Sequence, residues 1–287
     1  MALRSVLITG CSQGGAGEAL ARVFHQNGFR VFATARSLDT IQHLKVDGIE
    51  ILQLDVLEAQ SIDNTAATIS SITGGTLDIL INNAGAGYIA PMLDVDFSKA
   101  SKIFDLNVFA PFALVNSFIP LLIAGKGTVV NIGSYADALP IPWQGIYNAS
   151  KAALRSLTDN LRLELRPFNV NVVYIAAGGI RSKFLENLGT VYVSKTSLYY
   201  PAREILEPIM NYEDGETYRT QMPPTEFAQE VYEAVLAGGS LHRVYAGTQT
   251  PLSNIPAAER DEMLASATGI AAAAELIQRV VAWASLI

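Results

Sequence analysis

The chain reads as a doubly wound α/β fold around one mainly parallel sheet. Three observations predict this. Short apolar runs alternate with helical patterns through the first two-thirds of its 287 residues. Such alternation builds right-handed crossover units and a parallel sheet. The runs lack a clear in–out alternation, as strands covered on both faces do. The residue groups that carry chemistry fall just after predicted strands, where this architecture binds ligands.

The elements follow in order. Residues 6–9 form a β-branched run, and 17–27 have helical spacing. A strand at 30–35 precedes a helix at 38–46, and a strand at 50–55 precedes a helix at 59–72. Residues 77–82 are a fourth strand, followed by a long helical region at 98–123. Pro111 within it is expected to start the helix afresh or bend it. A strand at 127–133 leads to a helix at 147–165, and 169–175 is a further strand. From 181 to 224 the pattern turns irregular and aromatic, which predicts a partly helical lid over a substrate, mobile and first to be cut by a protease. A helix at 224–238 and a last strand at 240–247 complete one domain spanning 1–287. The apolar spacing of Leu276, Ile277, Val280, Val281 and Ala284 predicts a C-terminal helix over 269–287. It is expected to dock on the body or a partner subunit; a membrane-surface helix is the less favoured alternative.

Composition narrows the function. Half the residues are hydrophobic and 16% are charged, enough to bury a full core. A net charge of −7 with scattered Lys and Arg disfavours nucleic acid and anionic membrane as partners. Cys11 is the single cysteine, so a reducing, cytoplasmic compartment is expected, with the endoplasmic reticulum or lipid-droplet surface as the alternative. The N-terminus is too soon broken for a secretory signal, and no 20-residue stretch reads as a clear membrane span. No metal is expected.

Thr9-Gly10-Cys11-Ser12-Gln13-Gly14-Gly15-Ala16-Gly17 joins the first strand to the first helix. Glycines let a backbone turn tightly beside a diphosphate, and the helix N-terminus offers N–H groups to it. Cys11 reads as a close-packed residue of this turn. The second strand ends at Arg36, with no carboxylate before Asp39. An NAD site usually places a carboxylate there for the ribose hydroxyls, whereas a guanidinium binds a 2′-phosphate. The expected cofactor is therefore NADPH/NADP+. Asp55 and Val56 are placed to flank the adenine.

Tyr147 and Lys151 lie four apart on one helix face, thirteen residues beyond Ser134, with Asn107 further upstream. Alone, each has a bland reading: helix surface, salt bridge, turn hydroxyl, helix-bending polar residue. Together with Thr9-Gly10, Asn82-Asn83-Ala84-Gly85 and Ala177-Gly178-Gly179-Ile180-Arg181-Ser182, they resemble the short-chain dehydrogenase/reductase family over about the first 185 residues. The Gly10–Gly15 and Val129–Ser134 sequences resemble a fungal branch that includes acyl-dihydroxyacetone-phosphate reductase and reductases of secondary metabolism.

The resemblance implies roles. Tyr147 is the acid for reduction, Lys151 tunes it and holds the nicotinamide ribose, Ser134 bonds the substrate oxygen, and Asn107 holds a water leading to Lys151. Gly10, Ser12, Gln13, Gly14, Gly15, Ala16, Gly17, Asn83, Ala84, Gly85, Gly178, Ile180 and Ser182 are expected at the cofactor. Two departures stand out. The glycine turn is one residue longer than the family's, with Gly14 taking up the excess, and Ala177 replaces a proline, which predicts a looser turn.

Tyr88, Leu139, Ile141, Trp143 and Phe184 are expected to shape an apolar substrate pocket for a hydrophobic ketone, polyketide-like ring or acyl chain. Arg181 and Lys183 are placed to meet a substrate phosphate or to remain solvated. The reading is an NADPH-dependent ketone reductase, a homodimer or homotetramer by helix pairing through 97–118 and 147–166. A non-redox cyclase, dehydratase or epimerase and a nucleotide-sensing protein are the alternatives.

Overall fold

A computed structural model describes residues 3–139, 141–213, 221–237 and 243–246. Seven strands lie in the order β3-β2-β1-β4-β5-β6-β7. They are β1 (Ser5–Ile8), β2 (Arg30–Ala35), β3 (Glu50–Gln53), β4 (Ile79–Asn82), β5 (Thr128–Ile132), β6 (Asn171–Ala177) and β7 (Arg243–Ala246). Every pairing is parallel. The order reverses between β1 and β4, which opens a crevice beyond their carboxyl ends.

Continuous apolar strands dictate cover on both faces. On one side α1 (Ala16–Gln26), α2 (Gln42–Val46) and α8 (Pro224–Leu236) bury Leu20, Phe24, Leu44, Phe227 and Val231 against Val6, Ile8 and Ile81. On the other, α3 (Ala59–Thr73), α5 (Ala110–Gly125) and α6 (Gly145–Leu165) bury Ile62, Leu114, Phe118 and Leu165 against Leu7, Leu80 and Val129.

Several elements differ from expectation. The helix expected at 38–46 is a 3-10 turn at Leu38–Thr40, broken at Ile41 (φ −129°), then α2. The long region is α4 (Phe97–Phe104), a π-helical turn at Asp105–Phe109, and α5. The irregularity thus precedes Pro111, which sits in the first turn of α5, where its missing N–H costs nothing. This continuous 97–125 helix is apolar and long enough to cross a membrane by length and composition, contrary to expectation. Here it is a core helix, with Phe118 and Leu122 fully buried. Strand β6 starts two residues late because Asn169 adopts a left-handed conformation (φ +57°).

The aromatic segment from 181 is folded where it is described. A helix α7 (Arg203–Met210) buries Leu206 and Met210 with Ile89, Val193 and Ala202 in a small separate core. Val193 N–H donates to Glu207 Oε1, and Asn211 exchanges two hydrogen bonds with Val191. Part of the expected lid and the whole C-terminal helix at 269–287 lie outside the described residues.

A buried polar chain ties the sheet to α6. Asn82 Nδ2 donates to Asn131 Oδ1 (2.8 Å), and Asn131 Nδ2 donates to Thr158 Oγ1 (2.9 Å). Asn131→Ala removes the acceptor of one Asn82 Nδ2 proton and the donor to Thr158 Oγ1, while Thr158 keeps its bond to Leu154 O (2.6 Å). The expected loss is about 1–3 kcal/mol, the cost of one orphaned group. Urea unfolding checks it, with the midpoint falling at unchanged slope.

Candidate active site

The crevice is built by main-chain ends that side chains pin together. Thr9 Oγ1 accepts from the N–H groups of Asn83 and Ala84, both at 3.0 Å. Asn83 Nδ2 donates to the carbonyls of Thr9 (2.8 Å) and Gly10 (3.1 Å). A Cβ at Gly17 would stand 2.4 Å from Gly10 O and 2.6 Å from Asn83 Nδ2, so only glycine fits there. Helix α1 then starts at Ala16 with Gly15 as its N-cap and no capping side chain. Its first N–H groups and positive dipole end face the crevice without a capping side chain. This cradle fits the diphosphate of a nicotinamide dinucleotide.

At the adenosine end, Arg36 is exposed and follows β2 directly, with its carbonyl held by Gln53 Nε2 (3.0 Å). Asp55 caps the start of the next turn through Leu57 N–H, and Val56 is buried. Cys11 is fully buried, and burial pushes its thiol up to about 12. It packs the turn and is no nucleophile.

Asn107, Ser134, Tyr147 and Lys151 converge from three elements: the π-helical turn, the exit of β5 and α6. The π-helical turn carries Asn107, whose Nδ2 donates to Ala86 O (2.8 Å) and Ser150 Oγ (3.1 Å) while its Oδ1 accepts from Ala86 N–H (2.9 Å). Gly85 lies between Asn107 and Lys151: a Cβ there would be 3.1 Å from Asn107 Oδ1 and 3.6 Å from Lys151 Nζ. Ser134 follows β5, with its Oγ accepting from Ala136 N–H (3.1 Å) and bonded to the Tyr147 hydroxyl. Lys151 is buried, its Nζ donating to Ile132 O (3.1 Å) and standing 5.8 Å from the Tyr147 ring centre.

Burial lowers Lys151 to about 8, opposed by the buried carboxylate of Asp137. Burial also pushes Tyr147 up to about 12, the Ser134 hydrogen bond opposing it. Desolvation of the phenolate dominates, while Lys151 Nζ donates one of its three protons to Ile132 O.

The loop after β6 is better tied than its lost proline predicts. Gly178 N–H donates to Ala246 O (2.7 Å) on β7, Arg181 N–H donates to Met222 O (2.9 Å), and Met222 N–H donates to Gly179 O (3.0 Å). Ile180 bridges to Met222, and Ser182 is buried with its Oγ accepting from Phe184 N–H (3.4 Å).

Of the expected pocket residues, Phe184 lies closest to the chemistry, its ring 5.8 Å from that of Tyr147. Trp143, in a left-handed conformation (φ +67°), stacks edge-on to Tyr199 of the small core. Leu139 and Ile141 offer carbonyls to Asn148 Nδ2, which fixes the loop before α6. Tyr88 turns elsewhere: its hydroxyl accepts from Asp96 N–H (3.0 Å). Sequence reading missed Asp137 and the role of Tyr212. Tyr212 (φ +55°) takes a 2.5 Å hydrogen bond from Gln144 Nε2, tying the 181–213 segment to the start of α6. Among the described residues no cluster of His, Cys, Asp and Glu suits a metal.

A glycine cradle at the switch point, with Tyr147 beside the buried Ser134, Lys151 and Asn107, defines a nicotinamide-dependent oxidoreductase class. Residues 4–192 match the family model described as short chain dehydrogenase. The chain belongs to the short-chain dehydrogenase family. It is 43% identical to short-chain dehydrogenase PC-15 of Penicillium crustosum, over 77% of this chain and 90% of that one. It is 38% identical to the NADPH-dependent 1-acyldihydroxyacetone phosphate reductase of Schizosaccharomyces pombe, over 84% and 81%. Its fold matches a short-chain dehydrogenase structure from Streptomyces avermitilis, with TM-score 0.72, 24% identity and coverage of 99% and 98%.

The two buried titrations make stability pH-dependent with opposite signs. Lys151 is lowered, so between about 8 and its ordinary 10.5 the unfolded chain holds more protons and stability rises with pH. Tyr147 is raised, so between its ordinary 10 and about 12 the folded chain holds more protons and stability falls. Lys151→Met should flatten the rise above pH 8 and leave the fall above pH 10, read from urea midpoints across that range.

Proposed function

We propose that this protein is an NADPH-dependent reductase of a ketone on a hydrophobic small molecule of secondary metabolism or lipid-like character. The observation that carries it is the convergence of Ser134, Tyr147 and Lys151 beside the glycine cradle. The bound cofactor supplies the hydride. Tyr147 gives its hydroxyl proton to the carbonyl oxygen. Burial suits this task, because a phenol held near 12 keeps its proton at neutral pH. Ser134 Oγ accepts from Ala136 N–H and is bonded to the Tyr147 hydroxyl, so it holds the proton donor in place and turns its own proton to the substrate oxygen when the carbonyl arrives. Lys151 stabilises the phenolate that forms and reaches the nicotinamide ribose. Asn107 holds the 85–86 chain beside Lys151 and positions the water that returns a proton.

The apolar side chains of Phe184, Trp143 and Leu188 support a hydrophobic substrate, and we read the segment 181–224 as the lid that covers it. A second reading, reduction of an acyl-dihydroxyacetone phosphate, is favoured by the name of the Schizosaccharomyces pombe relative. Exposed Phe97, Phe109 and Leu163 on α4, its π-helical extension and α6 support pairing of these helices in a homodimer or homotetramer. The buried single thiol suits the cytoplasm.

Two measurements test the reading. Tyr147→Phe removes one hydroxyl, so folding and NADPH binding persist while single-turnover NADPH oxidation with a turned-over ketone falls ~10²–10⁴-fold. A rate within about threefold of the parent would sink the assignment and promote a non-redox or sensing role. Arg36→Ala should cost about ten- to a hundredfold in NADPH affinity, the worth of a charge-assisted hydrogen bond, and leave NADH unchanged. Equal losses for both would remove the 2′-phosphate role.

A further inference from the structure

Lys183 follows the buried Ser182 on the loop after β6, and the proposed chemistry leaves it unused. Its backbone N–H donates to Gly14 O (3.2 Å). Its stem fills the place a side chain on Gly14 would take: a Cβ there would lie 2.9 Å from Lys183 Cε and 3.2 Å from Cδ and Cγ. Gly14 itself has φ +80°. Two loops that leave the carboxyl ends of β1 and β6 are therefore locked across the mouth of the glycine cradle.

The charges around this contact leave Lys183 available. The nearby carboxylate, Glu18, is engaged elsewhere. Its Oε2 accepts from Gly14 N–H (2.6 Å), and its Oε1 accepts from Arg22 and faces His43. Arg22 in turn pairs with Asp47. Among the described residues no carboxylate pairs with the Lys183 ammonium, and the side chain is exposed. Helix α1 brings only about half a unit charge to the cradle, against two on a diphosphate.

We propose that Lys183 binds the diphosphate of the nicotinamide dinucleotide from the lid side. Gly14, the residue by which this turn exceeds the family's, is the space that its stem occupies. The inference rests on the cofactor reading above. A lysine is a compact point charge suited to phosphate, and needs no fixed fork geometry. Lys183 O also accepts from Asn187 N–H at the start of the lid, so the same residue links diphosphate binding to the lid's root.

The test is equilibrium titration of NADPH and NADH, followed by nicotinamide fluorescence at low ionic strength, into the parent, Lys183→Met and Lys183→Arg. The diphosphate is common to both cofactors. Lys183→Met is therefore expected to weaken both by the same factor, about tenfold or more. Lys183→Arg should retain most of the affinity, and the ligand-free thermal midpoint should not move. Lys183→Gln serves as the neutral variant should Met disturb the surface, with the same expected loss. Unchanged affinities would overturn the proposal. So would a loss confined to NADPH, which would place the ammonium on the 2′-phosphate. A parent protein that binds neither dinucleotide would refute the cofactor reading itself, and this inference with it.

Discussion

The hydrogen bonds between Thr9 and Asn83 are the constraint on which the rest of the site depends. One threonine hydroxyl accepts from two successive N–H groups after β4, and one asparagine amide donates to two successive carbonyls after β1. They fix the relative height of the two strand exits at the switch point. Gly10 and Gly17 can then approach to a distance no side chain would allow, and α1 is aimed into the crevice. Asn107 repeats the device one turn further along, holding Ala86 by both its N–H and its carbonyl. The catalytic group is positioned on main chain that polar side chains have already immobilised, which is how preorganisation is achieved without a rigid ligand.

Much of this was readable in the sequence because it is local. A strand followed by glycines and a helix start, and a Tyr and Lys one turn apart, are patterns within a few residues. The seven strands and the positions of Asn107, Ser134, Tyr147 and Lys151 rest on that kind of signal. What escaped depends on contacts distant in sequence. Nothing near Asn131 announces that it bridges Asn82 and Thr158. Nothing near Tyr212 announces a bond to Gln144, 68 positions away. Tyr88 looked like a pocket wall because it is aromatic and follows the glycine-rich exit of β4, yet its hydroxyl is used to hold the start of α4. The environment of Tyr147 escaped for a related reason: sequence shows the neighbouring cation, but not the desolvation around the ring.

The aromatic segment after β6 combines two kinds of order. Its middle has a core of its own, sealed by Val193, Leu206 and Met210. Its ends are attached to the catalytic framework at Lys183–Gly14, Phe184–Tyr147 and Gln144–Tyr212. The segment is thus a small preassembled unit held to the framework by a few polar and aromatic fastenings.

The unbroken helix from Phe97 to Gly125 has a consequence for the life of the chain before it folds. An 18-residue window within it has a mean hydropathy of 1.9, apolar enough by composition for a membrane segment. Strand β5, strand β6 and helix α6, which complete its cover, are all later in the sequence. During synthesis this segment must wait for some fifty residues to emerge before it can be shielded. Nascent chains in that interval are suited to capture by a chaperone or a translocation receptor.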